Sequence, residues 1–135
     1  MSRIGWLLLI WFWGLGLVHA QSLSDIPEVI EDQMSSFALG DEARAFAHAS
    51  AGIQAQFGSP AGFMAMVRQH YAPLVSPQRV AFDEPFAVSD QRAHQIVWLI
   101  DTAGTPWRAI YSLVGVEGRW RIEGVVLRPT QAQSV

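Results

Sequence analysis

Gly118-Arg119-Trp120-Arg121-Ile122-Glu123-Gly124-Val125-Val126-Leu127 is the stretch on which the fold is decided. Trp120, Ile122, Gly124 and Val126 alternate with Arg119, Arg121 and Glu123. A period of two puts these sets on opposite faces of a β-strand, one apolar and one charged. Working back, His94–Asp101 and Trp107–Val114 read as two further strands, set off by Ser89-Asp90, Ala103-Gly104 and Glu117-Gly118 turns. Arg79–Val88 is an extended stretch broken by Asp83-Glu84-Pro85. Such short connections favour an antiparallel meander of about four strands. In the middle strands Ile96, Trp98 and Ile100 oppose Val97 and Leu99, while Trp107, Ala109, Tyr111 and Leu113 oppose Ile110 and Val114. Apolar residues on both faces call for a second cover: a dimer partner, a loop or a ligand-pocket wall.

Before Gln78 the period is helical. Asp25 can cap and Pro27 suits a first turn, with Ile26, Val29, Ile30, Met34, Phe37 and Ala38 as a buried stripe ending at Gly40. Asp41 opens a second helix whose core face is Ala43, Phe46, Ala47 and Ile53. Ser59-Pro60 opens a third, carrying Phe63, Met66, Val67 and Tyr71, which Pro73 and Pro77 stop. Helices first and strands afterwards predict an α+β domain with the helices covering one sheet face.

Residues 1–20 read differently. Arg3 is the only charge before Asp25, Ile4–Val18 is apolar, and Val18-His19-Ala20 fits a signal-peptidase site. The apolar run is short for a permanent span, so we expect a signal peptide cleaved after Ala20 and a single domain over residues 21–135. An uncleaved anchor or a buried first helix is the competing reading. The expected address is the periplasm or the exterior, with no membrane attachment after cleavage.

The chain has no cysteine, so the domain is expected to hold by packing alone. It also lacks lysine and asparagine, and its formal net charge is −3. A mildly acidic surface argues against nucleic acid as a partner. Beyond the leader only His48, His70 and His94 remain, without the spacing of a metal site; neither metal nor cofactor is expected. No Gly-x-Ser-x-Gly elbow surrounds Ser50 or Ser112.

Val29–Phe37, Asp41, Ala45-Phe46-Ala47-His48-Ala49-Ser50, Phe57-Gly58-Ser59-Pro60 and the closing Tyr111 with Gly118–Gly124 carry a resemblance. The chain resembles a bacterial family of exported proteins known as domain of unknown function 4864. Its layout is similar to the nuclear transport factor 2-like (SnoaL-like, cystatin-like) superfamily. That resemblance implies a long curved antiparallel sheet wrapped around helices as a cone, and dimers formed through the sheet. The superfamily contains isomerases, hydrolases, dehydratases and non-catalytic binding or assembly domains, so fold alone does not choose a role. Its enzymes place Asp, Tyr, His or Arg inside the cone.

Each polar candidate has a structural reading beside a catalytic one. Asp41 and Asp32 could be bases at the cone mouth, or a helix cap and a solvated helix face. His70 and Tyr71 could be an acid/base group with a hydrogen-bond donor, or a helix-end cation beside a core aromatic. Tyr71, Trp98, Trp107 and Tyr111 could line a ligand pocket, or be core first. Arg119, Arg121 and Glu123 form a charged outer stripe. The functional expectation is an exported module that binds a small apolar ligand or a protein and forms a homodimer through the sheet. The alternative is a cofactor-independent isomerase or hydrolase using Asp41, His70, Tyr71 or Tyr111. A third reading is an envelope assembly factor.

Overall fold

A computed structural model describes residues 21–130. The leader assigned to residues 1–20 lies outside the described residues. Among the described residues no helix is long and apolar enough to cross a membrane.

Four helices come first: α1 (Ile26–Leu39), α2 (Glu42–Ala47), α3 (Ala51–Phe57) and α4 (Pro60–His70). A short 3-10 turn, Leu23–Asp25, leads into α1, and Ser22 rather than Asp25 supplies the side-chain cap there. Helix α1 ends where expected: Gly40 takes a left-handed conformation at φ 68° and returns its N–H to the Phe37 and Ser36 carbonyls. Asp41 caps α2 by accepting from the Arg44 N–H at 3.2 Å.

The second helix of the sequence reading is two helices. Between them His48, Ala49 and Ser50 run beside the last strand, with Ala49 in a parallel bridge to Ile122. Ser50 N donates to the Ile122 carbonyl at 2.9 Å, and Ile122 N donates to the His48 carbonyl at 2.8 Å. Ser50 then caps α3 by accepting from Ile53 N at 3.4 Å. This break changes the buried face: Ala45 is enclosed, whereas Ala43 and Ala47 are exposed. On α1 the stripe also turns slightly, so that Gln33 and Ser36 are buried and Ala38 is exposed.

The sheet comprises β1 (Arg79–Phe82), β2 (Phe86–Ala87), β3 (Arg92–Ile100), β4 (Pro106–Val116) and β5 (Arg119–Pro129). All pairings are antiparallel in the order β1-β3-β4-β5, with β2 also on β3. β1 and β2 are two pieces of one strand broken at Asp83-Glu84-Pro85, as the sequence suggests. The buried Gln95 amide holds the break by donating to the Asp83 carbonyl at 2.6 Å. β4 and β5 are joined by Glu117-Gly118, both at positive φ (51° and 75°), the conformation that suits a two-residue hairpin.

One register detail corrects the opening pattern. β5 shifts against β4, so that Leu113 faces Ile122 but Ser112 faces Gly124. Glu123 is the extra residue of a bulge, and a one-residue slip exchanges the faces. Val125 and Leu127 therefore pack on the core, while Val126 is 48% exposed on the outer face. Strict alternation had placed Val126 with Trp120 and Ile122.

Candidate functional site

The helices pack on the inner face of the curved sheet through Ile26, Ile30, Phe37, Phe63, Met64 and Val67 against Val97, Ala109, Tyr111, Leu113 and Ile122. They do not fill it. A cavity of about 270 Å³ remains between α1, α3, α4 and β5. Phe63 forms the centre of its aromatic wall, with ring centroids 6.2 Å from Phe37 and 6.1 Å from Phe57. Val67, Ile122 and Val125 add aliphatic surface. The bulge at Glu123 matters here because it brings Gly124 and Val125 to the cavity side by side.

Gln33 also lines this space although it is 2% exposed. Its amide nitrogen donates to the Ala45 carbonyl at 3.1 Å, tying α1 to α2. The geometry is that of a mostly apolar pocket whose polar groups are the buried Gln33 amide, the half-buried Tyr71, Gln56, and Glu123, which is ion-paired with Arg92. Such a pocket can hold a small, largely apolar molecule and orient it by its few polar groups. Sequence reasoning missed Gln33, yet the signal was present: it stands seven residues after Ile26 and three after Ile30, on the buried stripe.

The aromatic candidates separate. Tyr71 lines the cavity. Tyr111 is wholly buried in the core and is not part of the cavity lining; its hydroxyl has no hydrogen-bond partner among the described residues. Burial pushes its phenol well above the ordinary tyrosine range. Trp98 is 40% exposed on the outer face, where its ring N–H donates to Asp83 at 3.0 Å and Arg108 lies over the ring. It is neither core nor part of the inner cavity, because it alternates with the buried Val97 and Leu99. Trp107, half-buried, donates its ring N–H to Asp101 at 2.9 Å. That bond, followed by the Thr105 N–H, holds the Asp101 carboxyl below its usual range.

The catalytic candidates also divide. Asp41 is an exposed helix cap. His70 and Tyr71 share a shallow, mostly apolar depression beside Val125, Val126 and Leu127. Tyr111 is remote from solvent. A different polar cluster emerges instead: Arg44 donates its Nε to Asp32 Oδ2 at 2.9 Å and a terminal nitrogen to Oδ1, and His48 Nε2 lies 2.5 Å from the same Oδ2. Hydrogen bonds from Arg44 and then His48 hold the Asp32 carboxyl below its usual range. Asp32 is thus a hub joining α1 to α2 and the linker, rather than part of a solvated face. Among the described residues no group of three or more His, Cys, Asp or Glu could hold a metal ion.

A helical N-terminal half on a curved, open antiparallel sheet with a cavity between them is the arrangement of the nuclear transport factor 2-like fold. In keeping with this, the chain is similar to a crystal structure of an NTF-2-like protein of unknown function from Silicibacter pomeroyi DSS-3. The TM-score is 0.55 at 20% identity, over 80% of this chain and 95% of that one. Within that class the chain belongs to the family described as domain of unknown function (DUF4864), whose model matches residues 19–135. No curated protein matches it.

Proposed function

We propose that the protein is an exported, non-catalytic module that binds a small apolar ligand between the helices and β5. The observation that carries this reading is the 270 Å³ cavity walled by Phe37, Phe57 and Phe63. Its volume lies just below the roughly 300–1,000 Å³ typical of drug-sized sites, which favours a compact occupant such as a one- or two-ring hydrocarbon. Asp41 and Tyr111 lie apart from His70 and Tyr71, which share only a shallow surface depression; this supports binding over the isomerase or hydrolase alternative, since catalysis needs polar groups that converge. Export is supported by the apolar leader ending at Val18-His19-Ala20. A ligand that binds only the native state raises the melting temperature with concentration. Naphthalene is therefore expected to raise the Tm of the purified protein, and Phe63→Trp to reduce that rise by occupying the space. No dose-dependent rise with naphthalene, indole or a comparable uncharged ring would count against the reading.

Self-association through the sheet has its own support. The outer face exposes Phe86 (46%) and Val88 (51%) at one end, as well as Trp98 and Val126. Large apolar side chains exposed together on one sheet face are a feature of interaction surfaces. A homodimer through this face predicts that Val126→Glu converts the sedimenting species from dimer to monomer; a monomeric wild type would remove this reading.

A further inference from the structure

A second recess, of about 430 Å³, shares no lining residue with the apolar cavity. Three arginines (Arg44, Arg119 and Arg121) and His48 line it, against two carboxylates, Asp25 and Asp32. The two aspartates do not neutralise the arginines equally. Asp32 is engaged by Arg44 and His48 together. Arg119 and Arg121 make no ion pair among the described residues. Arg121 is nevertheless not loose: one of its terminal nitrogens donates to the Ala47 carbonyl. A guanidinium carries five N–H donors in a rigid fork, so this anchor tethers the group and leaves most of its donors uncommitted. The β5 strand brings Arg119 to the same side two residues earlier. With His48 neutral the recess lining carries one net positive charge, on a chain whose net charge is −3. Val29 and Trp120 also line the recess and supply apolar surface.

We propose that this recess binds a small oxyanion, a carboxylate or phosphate group, through Arg119 and Arg121. The Asp32–Arg44–His48 cluster keeps Asp32 from competing as their partner. Neighbouring arginines of this kind recognise planar or tetrahedral oxyanions by charge-assisted hydrogen bonds. The site is separate from the apolar cavity, so its failure would leave the ligand-binding reading of that cavity standing.

The test is a titration of the ¹⁵N-labelled protein, purified after expression of the full chain, with inorganic phosphate and separately with succinate. Ionic strength is held constant with sodium chloride so that screening does not change. Saturable shifts of the Gly118–Arg121 and Ala47–His48 amides are expected with at least one of the two. Saturation by phosphate alone or by succinate alone assigns the anion. Arg119→Gln, on an exposed side chain whose loss leaves the core intact, should weaken binding by roughly tenfold or more, and Arg121→Gln likewise. Shifts that rise linearly without saturating, or an affinity unchanged in both variants, would overturn the proposal.

Discussion

Tyr111 places a phenol hydroxyl in the core with no partner among the described residues. A buried hydroxyl without a hydrogen bond costs on the order of 1–3 kcal/mol, and Phe keeps the ring while removing it. Tyr111→Phe should therefore raise unfolding free energy by about 1 kcal/mol in urea. The pH dependence has a definite sign. Burial raises the folded-state value above the ordinary 10.0, so this contribution is complete below about pH 10 and is lost as pH rises toward the folded value. The Phe variant should lack that alkaline loss; an identical alkaline limb in both proteins would contradict the assignment. Asp32 behaves in the opposite sense, because Arg44 and His48 lower its folded value below 3.8. Its contribution is present above about pH 4 and falls away as pH drops further. Asp32→Asn should flatten that acid limb, at a neutral-pH cost of about 1 kcal/mol or less given its solvent access. The sequence could not identify this cluster, since Arg44 and His48 stand 12 and 16 residues from Asp32. Only the turn at Gly40 and the α2 fold-back bring them together. Tyr71, by contrast, was legible at the cavity because its spacing from Phe63 and Val67 continues an apolar helical face.

At the scale of the element, local signals located the helix ends better than the helix interiors. Ser59 before Pro60 and Gly40 after Leu39 act where cap chemistry predicts. The break at His48–Ser50 was missed because Ala-rich sequence favours helix on either side, while the competing interaction, a bridge to Ile122, is tertiary. Ser50 is the residue that makes the break stable. Ser50→Ala should cost about 1 kcal/mol, the usual penalty for a lost N-cap, with faster amide exchange at Ile53 and Gln54 than elsewhere in the helices. Uniform exchange across α1, α3 and α4 would show that the cap is not what holds α3. The β5 bulge escaped the sequence for a related reason. Trp120, Ile122, Gly124 and Val126 satisfy perfect alternation, but Gly124 has no side chain to reveal that the phase has changed. Val125 and Leu127, which unbroken alternation puts on the side of Arg121 and Glu123, are the residues that face the helices.

For the whole molecule, the order of periods along the chain was enough to indicate the architecture. Four helices followed by a broken first strand and a three-strand meander give one sheet with one covered face. The cavity was not legible, because it depends on how far α3 and α4 stand from the bulged strand. Apolar spacing identifies which residues turn inward and says nothing of whether they touch. Trp98 illustrates the converse: hydrophobic identity suggested the interior, whereas register with Val97 and Leu99 assigns it outside. The central claim is that the space beneath β5 accepts an apolar guest, and methyl NMR reads its location directly. On addition of naphthalene to the methyl-labelled protein, the account predicts saturable shifts at Ile53, Val67, Ile122 and Val125, the methyls lining the cavity. Unperturbed signals there, or shifts confined to Ile96, Val114 and Val126 on the outer face, would contradict it.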